Sequence, residues 1–292
     1  MTKDISVKRT GDTVTTELRE KNGVKYIVFP RLEETGFVYH LFSTRIGGVS
    51  KGCYSEMNLS YTRGDIKESV DENYMRIADI LGHGRTLDVF VSTFQTHTTN
   101  VKVITESDRG KGPAKSRDYT DIDGLITNVP GIILSTFHAD CPPVYFVDPV
   151  HKAIGLSHSG WKGTKGEISG VTIDKMKENY GTDPSDLICA VGPSICGDCY
   201  EIGEDVATEF SENYTQEELL DNKILVKYPK GKYRLYLWNA IKLTLLKKGV
   251  KEENIVITDI CTKCNPELLF SHRVHHEDRG NLAAFLSIKS NS

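Results

Sequence analysis

The sequence predicts an α/β fold of the α+β kind, with mixed sheets flanked by helices. Three observations carry this. The middle of the chain packs three strand-like runs, "GIILSTF", "PVYFV" and "KAIGLSH", into residues 131–158. Helical periodicity is strong at 65–82 and 234–250. Strands and helices alternate only in the second half, which argues against a simple doubly wound parallel sheet.

Taken in order, residues 1–25 are polar and predict an edge hairpin or a loose start. "KYIVFP" and "FVYHLFSTR" read as strands, and "IGGVSKGCYSEMNLS" as a loop rich in Gly and Ser. In "DIKESVDENYMRIADILG" the apolar residues Val70, Met75, Ile77, Ala78 and Leu81 recur at helical spacing, and Gly82 supplies a stop. "LDVFVSTFQTH" and "NVKVIT" read as strands around His97. Residues 106–121 are charged and broken by Gly and Pro, which predicts an exposed, mobile loop. "DPVH" suits a tight hairpin turn, because Pro149 presets the backbone and Asp148 can bond ahead. Beyond "GWKGTKG" the spacing of Ile168, Val171, Met176 and Tyr180 predicts a helix that ends at Gly181. "SDLICAVG", "NIVITDI" and "LAAFLSI" read as strands, "YEIGEDVATEFSENY" and "RLYLWNAIKLTLLKKGV" as helices.

A chain of 292 residues can bury a substantial core, and the pattern is read as one domain over 1–292 with a variable segment at 1–25. Acidic and basic residues nearly balance, 40 against 36, so net charge implies no nucleic-acid or membrane partner. No apolar run approaches the roughly 18 residues of a membrane helix. The polar start carries no apolar signal core, and seven cysteines is an odd count, so a reducing, cytoplasmic setting is expected.

Several signatures are absent. There is no P-loop and no G-x-G-x-x-G. "GLSHSG" misses the nucleophile elbow by one residue, and the H-x-E with P-C-x-x-C pattern of nucleobase deaminases is missing. What remains is scattered: His97 ending "FQTH", Cys141 in "HADC", and His158 in "LSHSGW", 17 positions beyond Cys141. Each follows a strand-like run, where side chains can converge at one sheet rim. Two imidazoles and a thiolate suit zinc with one open position. Spacing alone favours a buried small thiol and two satisfied structural histidines over a metal site. His138 is either a further polar group at this site or a residue facing away.

"CGDC" (Cys196, Cys199) and "CTKC" (Cys261, Cys264) invite a four-thiolate zinc, but the gap of 61 residues far exceeds a zinc ribbon's, so ordinary packing is expected. The "SGWKGTKG" turn, with Lys162 and Lys165, can hold an anion such as phosphate. Arg45 is a second candidate for anion contact. Trp161 suits packing or a ring substrate.

"FSTRIGGVSKGCYSEMNLS", "QTH", "HADCPPVYFVDP", "HSGWKG", "GPSICGDCYEIGEDV" and "CTKCNPELLFSHR" together, in this order, resemble the laccase-domain family across residues 37–288. The family was long described as multicopper polyphenol oxidases and is now read as zinc-dependent purine nucleoside phosphorylases that also deaminate adenosine. The resemblance implies a four-layer α/β/β/α sandwich and a metal on His97, Cys141 and His158. It implies adenosine, inosine, guanosine and methylthioadenosine as substrates, with phosphate as co-substrate. Arg45 and Lys162 are then the expected phosphate contacts, and a monomer or homodimer is expected. Three departures bear on substrate preference and phosphate affinity. Thr98 replaces a usual Gly, Lys162 replaces Arg and loses its bidentate fork, and Asn281 stands in the Gly-Arg-Met motif. Nine histidines without one H-x-H pair speak against several coppers, although a single copper also suits the His97/Cys141/His158 set. A metal-independent hydrolase or deamidase using Cys141 and His158, or a degenerate metal-binding scaffold, are the alternatives.

Overall fold

A computed structural model describes residues 6–290. Two six-stranded mixed sheets stack face to face. The first has the order β1 (Glu17–Lys21), β2 (Val24–Val28), β3 (Val38–Ser43), β15 (Leu282–Ile288), β7 (Ile133–His138) and β4 (Phe90–Ser92). The second has the order β14 (Ile255–Ile257), β10 (Ile188–Val191), β8 (Pro143–Asp148), β9 (Ala153–His158), β6 (Gly124–Thr127) and β5 (Val101–Val103). All neighbours are antiparallel except β4/β7, β10/β14 and β5/β6.

Strand alternation explains the stacking. Along β8, Tyr145 and Val147 enter the core between the sheets, while Val144 and Phe146 face the helices outside. Along β15, Leu282, Ala284 and Leu286 point inward, whereas Ala283 and Phe285 point outward. Both faces are buried, so these strands read as nearly unbroken apolar runs. Outside the first sheet lies helix Lys67–Ile80, packed through Val70, Tyr74, Ile77 and Ala78. Outside the second lie helices Ile168–Tyr180 and Leu237–Lys247, packed through Ile173, Met176, Ile241 and Leu245. The four-layer sandwich expected from the resemblance is the fold observed. Gly181 ends its helix at φ 74°, a left-handed position that favours glycine. At the predicted hairpin turn, Asp148 Oδ1 accepts from the N–H groups of Val150 and His151, both at 2.9 Å.

Three sequence expectations need correction. Residues 201–235 add a small sheet of order β11 (Glu201–Ile202), β13 (Lys232–Leu235) and β12 (Leu225–Tyr228). The two flanking helices therefore start later than periodicity predicts, at Glu204 and Leu237. Residues 106–121 are not simply exposed: Asp108 is buried against Lys111 at 2.7 Å, and Arg117 bonds the Thr93 carbonyl. The hairpin expected near the N-terminus forms as β1 and β2, while residues 1–5 lie outside the described residues. No helix among the described residues is long and apolar enough to cross a membrane.

His40 on β3 supplies a pH-dependent part of stability. Its buried Nε2 accepts the Phe29 N–H at 2.8 Å, so this nitrogen must be unprotonated. Burial, helped by the charge of Arg19, lowers its pKa to about 3. The unfolded chain binds a proton near pH 6.5, and the folded chain does not until near pH 3. Stability is therefore full above about pH 6.5 and falls as pH drops, by roughly 2 kcal/mol at pH 5. Urea melts at pH 7 and pH 5 should show this loss, and His40→Gln should flatten it. A wild-type difference unchanged by that substitution assigns the slope elsewhere.

Candidate metal centre

The site forms where the chain crosses from the first sheet to the second. It crosses between β7 and β8, and Cys141 lies in this four-residue passage. β7 stops at His138, and Pro142 and Pro143 lead the chain into β8 in a new direction, which accounts for a thiol at a strand break. It also crosses between β4 and β5, and His97 lies there. Because β4 and β7 run parallel, both crossings leave the first sheet at the same end. His158 is the last residue of β9 and pairs in register with Pro143, which sets it beside Cys141.

The ligand atoms of His97, Cys141 and His158 all lie within 4.8 Å of one another. The two imidazoles meet edge to face at 4.9 Å between ring centres. Gly160 faces the cluster, and a Cβ there would stand 2.9 Å from His97 Cδ2 and 3.1 Å from Cys141 Sγ. The missing side chain leaves room for one ion between the three donors. Soft sulfur with two imidazole nitrogens fits zinc or copper.

Asp123 orders this cluster, and sequence reasoning missed it. Its buried carboxylate accepts from Thr96 N–H at 3.1 Å, His97 N–H at 3.1 Å and Thr98 N–H at 2.9 Å. It also accepts from His158 Nδ1 at 2.8 Å. Donation from Nδ1 leaves His158 Nε2 free to face the cluster. Burial pushes the Asp123 carboxyl up, but the His158 hydrogen bond and the backbone N–H groups hold it below the ordinary carboxylate range. His97 has φ 65°, and Asp140, beside Cys141, has φ 89°. Such left-handed backbone is costly for non-glycine residues and persists where surroundings enforce it, as the three N–H bonds to Asp123 do here.

Burial works against ionising both Cys141 and His158, yet their proximity draws the thiol pKa down and, with Asp123, the imidazole pKa up. The thiol is thus prepared to act as a thiolate. His138 lies beside the site, 5.5 Å from the His158 ring centre, but its nitrogens are engaged by Thr136 Oγ1 and the Cys141 carbonyl. Burial keeps it neutral, so it supports the Cys141 loop and adds no donor.

The cluster floors a pocket of about 330 Å³, a size suited to a small molecule. Its walls include Tyr61, Phe94 and Phe137, and its cations are Arg117 and Arg279. Neither Arg45 nor Lys162 lines it. The Arg45 guanidinium is consumed by the Ser55 and Pro266 carbonyls at 3.0 Å and covers the Phe270 ring. Lys162 is exposed and lies over the Trp161 ring. The two expected cations thus lie outside the lining of this pocket, Arg45 held by backbone carbonyls and Lys162 exposed on the short helix Trp161–Lys165. Arg279 is buried, its Nη1 bonds the Gly280 carbonyl and Asn281 Oδ1, and its buried Nε has no partner among the described residues.

Fold and site together define a two-sheet sandwich with a histidine–cysteine ligand set at the crossing between its sheets. The chain matches the description "multi-copper polyphenol oxidoreductase laccase" over residues 39–289 and belongs to that family. It is 32% identical over 252 residues to purine nucleoside phosphorylase YlmD of Bacillus subtilis, covering 85% of this chain and 87% of that one. It is 33% identical over 235 residues to adenosine deaminase RL5 of an unknown prokaryotic organism, covering 80% and 87%. The crystal structure of YlmD from Geobacillus stearothermophilus superposes with a TM-score of 0.85 at 31% identity, covering 95% of this chain and all of that one.

Proposed function

We propose that this chain is a zinc-dependent purine nucleoside phosphorylase that also deaminates adenosine, with His97, Cys141 and His158 holding the metal. The observation that carries this is the three-donor cluster on the floor of an aromatic, arginine-bearing pocket. Relatives named for both activities, at 32% and 33% identity, support it. A zinc bound at this donor set supplies a Lewis acid beside the purine. The residues of the chain do the rest. Asp123 fixes the His158 ring and the His97 loop. Phe94 and Phe137 give flat apolar surface for a base, and Arg117 and Arg279 offer charge to phosphate. In phosphorolysis, a phosphate oxygen bonds to the ribose carbon as the bond to the base breaks. Holding both reactants in line accounts for much of such a rate.

Chromatography of adenosine incubated with the purified chain tests this. Adenine formed only with phosphate is the expected result for phosphorolysis, and inosine with or without phosphate for deamination. Arg279→Ala should raise the KM for phosphate about tenfold, through a lost charged hydrogen bond. No product from any purine nucleoside, with the metal bound, would leave a degenerate scaffold.

One observation favours a second reading. Asp123 bonds His158, and the ligand atoms of His158 and Cys141 lie within 4.8 Å of each other, an arrangement open to a thiol nucleophile with an oriented base. Activity that survives exhaustive chelation and is lost on thiol alkylation would select that hydrolase.

A further inference from the structure

The four remaining paired cysteines do not sit where the sequence spacing implies. Cys196 and Cys199 follow β10, and Cys261 and Cys264 follow β14. These strands are parallel neighbours, so both loops emerge at the same end of the sheet. The pairing continues through a bridge between Ser194 and Cys261 and a 3.1 Å bond from Thr262 N–H to the Ser194 carbonyl. Strand pairing thus cancels the 61-residue gap that made packing the expected role. All four Sγ atoms lie within 4.8 Å of one another, and Cys199 Sγ and Cys264 Sγ are 3.5 Å apart. Four sulfurs at about 2.3 Å from one zinc form a tetrahedron with edges of roughly 3.8 Å, so little movement is needed to close it. The Cys196 N–H points at Cys261 Sγ at 3.3 Å, the backbone support that a metal-bound thiolate uses. None of the four lines the pocket.

We propose that Cys196, Cys199, Cys261 and Cys264 form a closed, structural zinc site, separate from the pocket. Its place gives it a role. The Ile195 N–H bonds the Asp140 carbonyl at 2.9 Å, and Thr262 Oγ1 bonds Asp140 Oδ1 at 2.6 Å. Each cysteine loop therefore grips Asp140, the neighbour of Cys141, and a metal that ties the loops together fixes the backbone behind that thiol.

The test uses the full chain purified under reducing conditions and a His97→Ala/His158→Ala variant that removes two pocket donors. The variant should retain about one zinc per chain by elemental analysis, whatever the pocket holds. Grown with cobalt, it should show the intense visible and charge-transfer absorption of a tetrathiolate site. Its four thiols should resist alkylation until a chelator is added. Cys261→Ser/Cys264→Ser should lose about one zinc from the wild-type count and melt earlier. If that variant does not fold, the histidine variant still decides. A folded histidine variant with no metal and freely alkylated thiols, or with the mass of two disulfides, overturns the proposal.

Discussion

Cys141→Ala is expected to lower kcat/KM for adenosine phosphorolysis at least about a thousandfold and to strip metal from the pocket. The first effect follows from the several kcal/mol that a Lewis acid contributes, since about 4 kcal/mol is a thousandfold in rate. The second follows from the donor set: two imidazoles remain, and the sulfur was the anionic ligand. The fold should survive. Cys141 is a small side chain at the pocket floor, and its loop is held independently through Asp140, which bonds Thr262 Oγ1 and the Arg273 N–H. Activity and elemental analysis on the same preparation separate the readings. Lost activity with metal retained points to the thiol as nucleophile, and full activity with full metal would remove Cys141 from the site altogether.

The three donors of the candidate metal centre were legible in the sequence because each ends or follows a strand-like run, and strand ends converge when strands share a sheet. Their contact needed more. The Pro143–His158 register and the parallel β4/β7 pair are long-range facts with no local signature. Asp123 shows the limit most clearly. It sits in "DIDG", before a strand of only four residues, and nothing local marks it as an acceptor for three N–H groups and an imidazole. Its role arises when β6 pairs with β9 and sets Gly124 opposite Ser157. Cations were harder still. A basic residue beside glycines looks like an anion contact, yet Arg45 is spent on carbonyls. Arg117, in a segment that reads as solvent-exposed, stacks on Phe94 and reaches the pocket. Helices and hairpins fared better, since amphipathic spacing and turn chemistry are local.

Asp123 is also where the second large effect is expected. Asp123→Ala should cost roughly 3–5 kcal/mol of stability, because it breaks the buried Asp123–His158 pair and takes the shared acceptor from the Thr96, His97 and Thr98 N–H groups. Asp123→Asn keeps the shape and isolates the electrostatics. One carboxylate oxygen serves His97 N–H and His158 Nδ1, the other serves the Thr96 and Thr98 N–H groups. An amide has a single oxygen, so either way it turns its NH₂ toward groups that donate. Turned toward the threonines, it releases the loop that carries His97 at positive φ. Turned toward His158, it forces the ring to move its proton to Nε2, the nitrogen that faces the metal. Both outcomes should lower metal affinity by about ten- to a hundredfold in a protein that still folds. Competitive titration with a chelator, run beside a thermal melt, reads the two quantities separately. An Asn variant that binds metal as tightly as wild type would mean that the His97 loop and the His158 ring are held by packing, with Asp123 contributing only to the stability of the fold.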